Sequence, residues 1–244
     1  MPELPEVETQ VRQLARRLRG ARIQSLEVRD AMIKLPRRVV GQRIDHVRRR
    51  GKFIVFDLSG GAHLLAHLRM TGWFEFVEPS TYRMVLHTNK ASVYFEDRRR
   101  LGHIRLVSRE TLNGVLGELG PEPLGRRFSL AALKKTNRAI KVALLDQQLL
   151  SGIGNIYASE SLWRAGIHPR RQANRLRPDE LKRLERAIGV TLRKAIRLGA
   201  RIFTADRQFA VYGRQGEPCF RCRTPVRRVV QAQRSTYFCA TCQH

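Results

Sequence analysis

Acidic residues are scarce in this chain of 244 residues: 21 Asp and Glu stand against 47 Lys and Arg, a formal net charge of +26. Lysine is scarce as well, with eight Lys against 39 Arg. Cysteine appears four times, always within the last 26 residues, which excludes a disulfide-stapled scaffold spread over the chain. No apolar run approaches the roughly 20 residues of a membrane helix. The start, Met1-Pro2-Glu3-Leu4-Pro5-Glu6, lacks the basic lead and apolar middle of a secretory signal. These absences predict a soluble, intracellular protein with no membrane partner.

What is present points to a polyanion. An excess of about one positive charge per nine residues brings self-repulsion that a neutral partner would not offset. The arginine bias adds a planar donor fork suited to phosphates and base edges. A GC-rich genome also trades Lys for Arg, but it does not explain the net charge. Hydrophobic residues, 42% of the chain, suffice for a buried core.

Val7, Val11, Leu14 and Leu18 recur at helical spacing, predicting an amphipathic helix over 5–19 with acidic residues at its positive end. Eight short strands are predicted between 22 and 107, at 22–28, 42–47, 52–58, 62–69, 73–77, 82–87, 92–96 and 104–107, a sandwich-like pattern. Three Gly and two Pro in Leu116–Arg127 mark a boundary. Helices follow at 129–135, 139–150, 155–165 and 178–198, and strand-and-turn composition returns from 211. The expected class is α+β and multi-domain: a β-sandwich domain at 1–116, a linker at 117–127, a helical domain at 128–210 and a Cys-rich finger at 211–244.

Cys219-x2-Cys222, sixteen intervening residues and Cys239-x2-Cys242 offer four thiolates for one structural zinc. The alternatives are two redox pairs or unrelated thiols. Arg227, Arg228 and Arg234 lie in a hairpin-like run between the two pairs. The turn Ser151-Gly152-Ile153-Gly154-Asn155 opens a helix with Asn155 expected at its N-cap, either a phosphate clamp or a plain helix–helix turn. Pro2, once Met1 is removed, presents a secondary amine able to act as a Schiff-base nucleophile, with Glu3 beside it as a general acid. Lys52 heads an apolar strand, as a functional cation or an edge charge. Asp97-Arg98-Arg99-Arg100-Leu101-Gly102 reads as a phosphate contact or as a wedge into DNA, and Met70 as a second wedge or a core residue.

Together Met1–Thr9 (MPELPEVET), Arg50–Phe53, Asp97–Gly102, Gly152–Pro169, Val211–Cys219 and the four-Cys tail resemble the Fpg/endonuclease VIII family of DNA glycosylases, on its formamidopyrimidine branch. The resemblance implies a base-excision-repair glycosylase with abasic-site lyase activity. It would act on oxidised or ring-opened bases in duplex DNA, as a monomer located in the cytoplasm and on the nucleoid. It implies a helix–two-turn–helix element in the helical domain, one structural zinc, and neither a catalytic metal nor an organic cofactor. By the same resemblance Pro2 is the nucleophile, Glu3 the acid, Lys52 a catalytic cation and Arg234 the hairpin residue that grips phosphates. Lys141, Gly154 and Asn155 contact the DNA backbone. Met70, Arg99, Arg100 and Leu101 fill or flank the space left by the extruded base. Leu101 stands where the family usually has Phe, and Tyr82 where a DNA-contacting His is expected. The stretch 198–211 is shorter than the family's lesion-capping loop, which counts against selective capture of 8-oxoguanine and leaves the preferred lesion open. A non-catalytic binder of damaged or branched DNA on the same fold is the alternative.

Overall fold

The computed structural model describes residues 1–125, 128–199 and 209–244. The core of the shortened 198–211 stretch and the Arg126–Arg127 end of the expected linker lie outside them. The chain divides into two compact units, Met1–Glu118 and Leu119–His244.

The first unit begins with α1 (Leu4–Leu18), followed by β1 (Ile23–Val28), β2 (Ile44–Arg50), β3 (Phe53–Leu58) and β4 (His63–His67). Then come β5 (Trp73–Glu75), β6 (Met84–Thr88), β7 (Ser92–Glu96), β8 (His103–Val107) and α2 (Arg109–Gly117). Two four-stranded antiparallel sheets form, in orders β1-β6-β7-β5 and β2-β3-β4-β8. Their facing sides meet in one core, into which α1 lays Val7, Val11, Leu14 and Leu18. Each such side chain contributes about 1.5–3 kcal/mol when taken from water. Gln10 fastens the helix to β5, donating to Phe74 O at 3.3 Å and accepting from Phe74 N at 2.7 Å.

The near-continuous apolar run of β3 has a structural reason, since both its faces are covered. Ile54, Phe56 and Leu58 enter the main core, whereas Val55 joins Leu65, Val107 and Leu112 beneath α2. Helix α2 has no counterpart among the predicted elements; its sequence contains Gly114 and Gly117, poor helix formers. Ser108 starts it by accepting a hydrogen bond from Thr111 N, and Leu112 anchors it.

The second unit holds α3 (Ile140–Leu145), α4 (Asn155–Ala165), α5 (Pro178–Leu198) and a hairpin of β9 (Arg227–Gln231) and β10 (Arg234–Phe238). The predicted helix over 139–150 ends early, because Asp146 accepts Gln148 N at 2.9 Å and turns the chain. Residues 131–135 form a 3-10 turn rather than an α-helix. Helix α5 buries Leu181, Leu184, Ile188, Leu192 and Ile196 at helical spacing, while α4 is buried along nearly its whole length. Gly166, at φ 69°, ends α4, and a Cβ there would meet Cys242 O at 3.3 Å. The predicted mixed architecture is thus present: a β-sandwich, a helical region and a four-Cys hairpin.

Candidate active site and nucleic-acid interface

Glu3 caps the start of α1, and its backbone N–H donates to Glu6 Oε2 at 2.9 Å. Pro2, Glu3 and Glu6 are all buried, Glu3 to 1% exposure. Glu6, assigned from sequence only to the helix dipole, therefore also fixes the backbone beside Pro2. Lys52 occupies a two-residue turn, since Arg50 pairs with Phe53 across the β2–β3 ladder. Gly51 supplies the left-handed φ of 57° that this turn needs. Lys52 is 8% exposed, so it is a buried cation rather than an edge charge.

These groups share one neighbourhood. Burial holds the Met1 amine, one residue before Pro2, below its usual pKa, Glu3 and Glu6 oppose that shift, and Lys52 and Arg99 reinforce it.

His67, missed from sequence, belongs to the same region. Its ring meets Phe53 edge-on at 4.9 Å and stacks on His103 at 5.6 Å. Burial, then Arg69, His103 and Lys52, push the imidazole down to about 3. Between that value and the ordinary 6.5 the unfolded chain binds a proton that the folded chain refuses. Stability is therefore complete above the ordinary value and falls as the pH drops toward the folded one. The expected slope is at most about 1.4 kcal/mol per pH unit, or roughly 3–6 °C in Tm for a chain of this size. His67→Gln is expected to flatten the fall of Tm with pH in thermal melts between about pH 6 and pH 4; an unchanged slope would remove His67 from this account.

Two loops carry the expected wedge residues. Met70 and Leu101 are 38% and 48% exposed, which favours the wedge reading of Met70 over a core role. Arg98 and Arg99 are also exposed. The loops are tied together, as the Thr71 hydroxyl donates to Asp97 Oδ1 and accepts from Arg99 N at 3.3 Å. Arg100 departs from a simple phosphate contact: its guanidinium pairs with Asp30 through Nε at 3.0 Å and Nη2 at 2.7 Å. Its backbone is left-handed, φ 54°, a conformation that costs a non-glycine residue about 1–3 kcal/mol.

In the second unit Gly154, not Asn155, is the N-cap of α4. Asn155 is released from capping because its side chain reaches across to the hairpin, donating Nδ2 to Ser235 O at 2.9 Å. Lys141 also differs from expectation. It is fully buried, and Nζ donates to the same Ser235 O at 3.0 Å and to Thr236 Oγ1 at 2.7 Å. Both residues thus fix the strand backbone next to Arg234, which is exposed at the start of β10. Ala232 and Gln233 turn the hairpin with φ 46° and 60°. Gln147 braces the helix–helix turn by accepting from Gly152 N and donating to Ile153 O.

The sulfurs of Cys219, Cys222, Cys239 and Cys242 lie within 4.8 Å of one another. Tetrahedral zinc with bonds of about 2.3 Å sets sulfurs about 3.8 Å apart, so the cluster fits a four-thiolate structural zinc. Trp163 Nε1 donates to Cys219 Sγ at 3.4 Å, and Arg221 lies over the indole at 4.1 Å. Glu160, not anticipated, receives the backbone N–H groups of Ala210, Val211 and Tyr212 and so anchors the chain entering the finger.

The family model of the formamidopyrimidine-DNA glycosylase N-terminal domain matches residues 1–104, that of the H2TH domain 119–206, and that of the zinc finger found in FPG and IleRS 216–244. A formamidopyrimidine-DNA glycosylase of Thermus thermophilus is 42% identical, with all of this chain and 98% of the relative covered. One of Azorhizobium caulinodans is 40% identical with both covered in full. The crystal structure of the MutM (Fpg) protein of Thermus thermophilus superposes with a TM-score of 0.90 at 41% identity, covering 99% of this chain and 98% of that one. The Lactococcus lactis enzyme bound to DNA containing an abasic site gives 0.89 at 32% identity, with 99% of each chain covered. With its sandwich, helical region and four-Cys hairpin all matched in order, the chain belongs to the formamidopyrimidine-DNA glycosylase family.

Proposed function

We propose that this DNA glycosylase excises oxidised or ring-opened bases from duplex DNA through a Schiff base on Pro2 and then cleaves the strand. The observation that carries the proposal is the burial of Pro2, Glu3 and Glu6 at the start of α1, with the buried Lys52 and with Arg99 near enough to act on the Met1 amine beside Pro2. With Met1 removed, the Pro2 nitrogen attacks the sugar C1′, the bond from C1′ to the base breaks, and the base leaves with a proton. Glu3 protonates the ring oxygen as the sugar opens, giving an iminium ion. Loss of a C2′ proton then expels the 3′ phosphate, and a second elimination expels the 5′ phosphate. Lys52 supplies buried positive charge for these developing anions. An amine, an acid and a cation suffice for each bond change, so neither a metal nor an organic cofactor is required at the reacting centre.

Arg234 holds phosphates beside the lesion, and its neighbour Ser235 is pinned by Asn155 and Lys141. Zinc in the four-Cys cluster holds the finger that carries Arg234 and takes no part in bond making. The monomer is the working form, acting inside the cell on nucleoid DNA. Solved relatives hold abasic-site and Fapy-dG DNA, which supports ring-opened purine as the substrate class.

The test is a panel of duplexes carrying formamidopyrimidine, 8-oxoguanine, oxidised pyrimidine or an abasic site. Excision and strand cleavage on the formamidopyrimidine duplex, with at least tenfold less on 8-oxoguanine, are expected. Tight binding with no cleavage of any duplex would select the non-catalytic binder instead.

A further inference from the structure

Three charged residues far apart in sequence meet at one end of the β1-β6-β7-β5 sheet. The ladder aligns Val28 with Met84 and Met84 with Phe95. Asp30 lies just beyond the end of β1, Arg83 just before β6 and Asp97 just after β7, so the register itself brings them together. Their exposures are 4%, 5% and 3%. Arg83 Nε donates to Asp30 Oδ2 at 2.6 Å, and its Nη1 donates to Asp97 Oδ2 at 3.0 Å and to Gly102 O at 2.5 Å. Asp97 Oδ2 also accepts from Gly102 N at 2.6 Å.

The buried chain of ion pairs reaches the surface at one place, the two-pronged contact of Arg100 with Asp30. Each oxygen of the two carboxylates is satisfied, Asp30 Oδ1 accepting from Met32 N at 2.9 Å as well. The Arg100 hydrogen bonds are the largest influence holding Asp30 well below the usual carboxylate range. Two charges of each sign are present, so burial leaves no uncompensated charge.

The Arg99–Leu101 segment is therefore held from both sides. Asp97 and Gly102 fix its ends, and Asp30 holds the left-handed Arg100 in its middle. A strained residue persists only where its surroundings determine it, and among the described contacts of Arg100 the Asp30 pair is the one made by its side chain. Leu101 is left exposed as a consequence. A leucine wedge lacks the ring with which to stack, so its effect depends on rigid placement more than an aromatic wedge's does.

We propose that Asp30, acting through Arg83 and Arg100, is a positioning residue that holds the Arg99–Leu101 segment rigid for occupying the space of an extruded base. This rests on the proposed glycosylase function together with the wedge reading of Leu101. A rigid wedge matters when a stacked base must be displaced, and less when the site is already abasic.

Asp30→Asn, Arg100→Gln and Leu101→Ala are compared in single-turnover excision of formamidopyrimidine and in strand cleavage of a pre-formed abasic duplex. Arg100→Gln leaves the Asp30–Arg83–Asp97 pairs intact, so it carries the test if Asp30→Asn fails to fold by circular dichroism. The expected result is at least tenfold slower excision for all three, with a loss of abasic cleavage at least threefold smaller than the loss of excision. If Leu101→Ala excises normally, the wedge reading fails and this inference falls with it. If Leu101→Ala is slowed while the folded Asp30 and Arg100 variants are not, the inference alone is overturned. Equal losses on both duplexes would mark a general structural role and overturn it too.

Discussion

A chain whose Met1 has been removed is expected to be captured by borohydride on abasic-site duplex, and a chain that retains Met1 to be captured at least a hundredfold more slowly. The reason is geometric. Retaining one residue turns the Pro2 nitrogen into an amide and moves the free amine by up to about 3.8 Å. Displacements near 1 Å already cost about a hundredfold in reactions that depend on alignment. The lowered pKa of the Met1 amine does not offset this, because a favourable protonation fraction gains tenfold or so at most near neutrality. Glu3→Gln on the processed chain is expected to slow excision by about 10²–10⁴, with duplex affinity within a few-fold, since Glu3 is 1% exposed and offers DNA little surface. Mass analysis of the N-terminus alongside the trapping assay decides the first point. Equal adduct yields from both forms would rule out Pro2 as the nucleophile.

Removing zinc is expected to unfold the finger and, with it, to weaken binding to lesion duplex by at least tenfold. The core around the four thiols contains few apolar residues: Val211 and Val226 are buried there with Trp163, and two of the remaining buried members are Cys219 and Cys239 themselves. Two buried Val side chains contribute roughly 3–6 kcal/mol, whereas zinc on such a site contributes about 10–16 kcal/mol of apparent binding energy. The metal term dominates. Its loss frees β10, so the bonds from Asn155 and Lys141 no longer set the direction of Arg234. Trp163 reports the change directly, because its indole N–H is bonded to Cys219 Sγ. Cys222→Ser is expected to abolish stoichiometric zinc and shift the Trp163 emission. A zinc-free variant with parental emission and parental DNA affinity would refute the expectation. The first unit draws its core from other residues and should melt as before.

Several features were legible in the sequence because local spacing encodes them. The two Cys-x2-Cys pairs needed no long-range information to be read as one metal site. Alternation and helical spacing placed α1, α4 and α5 nearly to the residue. Resemblance added Pro2, Glu3 and Lys52 as a set, though no spacing rule joins a residue near the N-terminus to one in a turn fifty positions later.

Other features had no such signal. Helix α2 hides behind two glycines, and tertiary packing of Leu112 overrides their poor propensity. Lys141 is indistinguishable in sequence from any phosphate-seeking lysine, and only the hairpin buries it. Asp30 and Arg83 carry no motif at all.

The sequence by itself determined the basic surface, the four-thiol finger, the sandwich pattern and the candidate amine, since each depends on composition or on neighbours a few residues apart. Only the tertiary structure decided which charges face solvent and which are consumed internally. Arg100 is engaged by Asp30, Lys141 by the hairpin and Lys52 by burial beside the amine. That partition depends on strand register and on pairs up to 95 residues apart, and a polar group taken from water costs free energy unless it finds a partner.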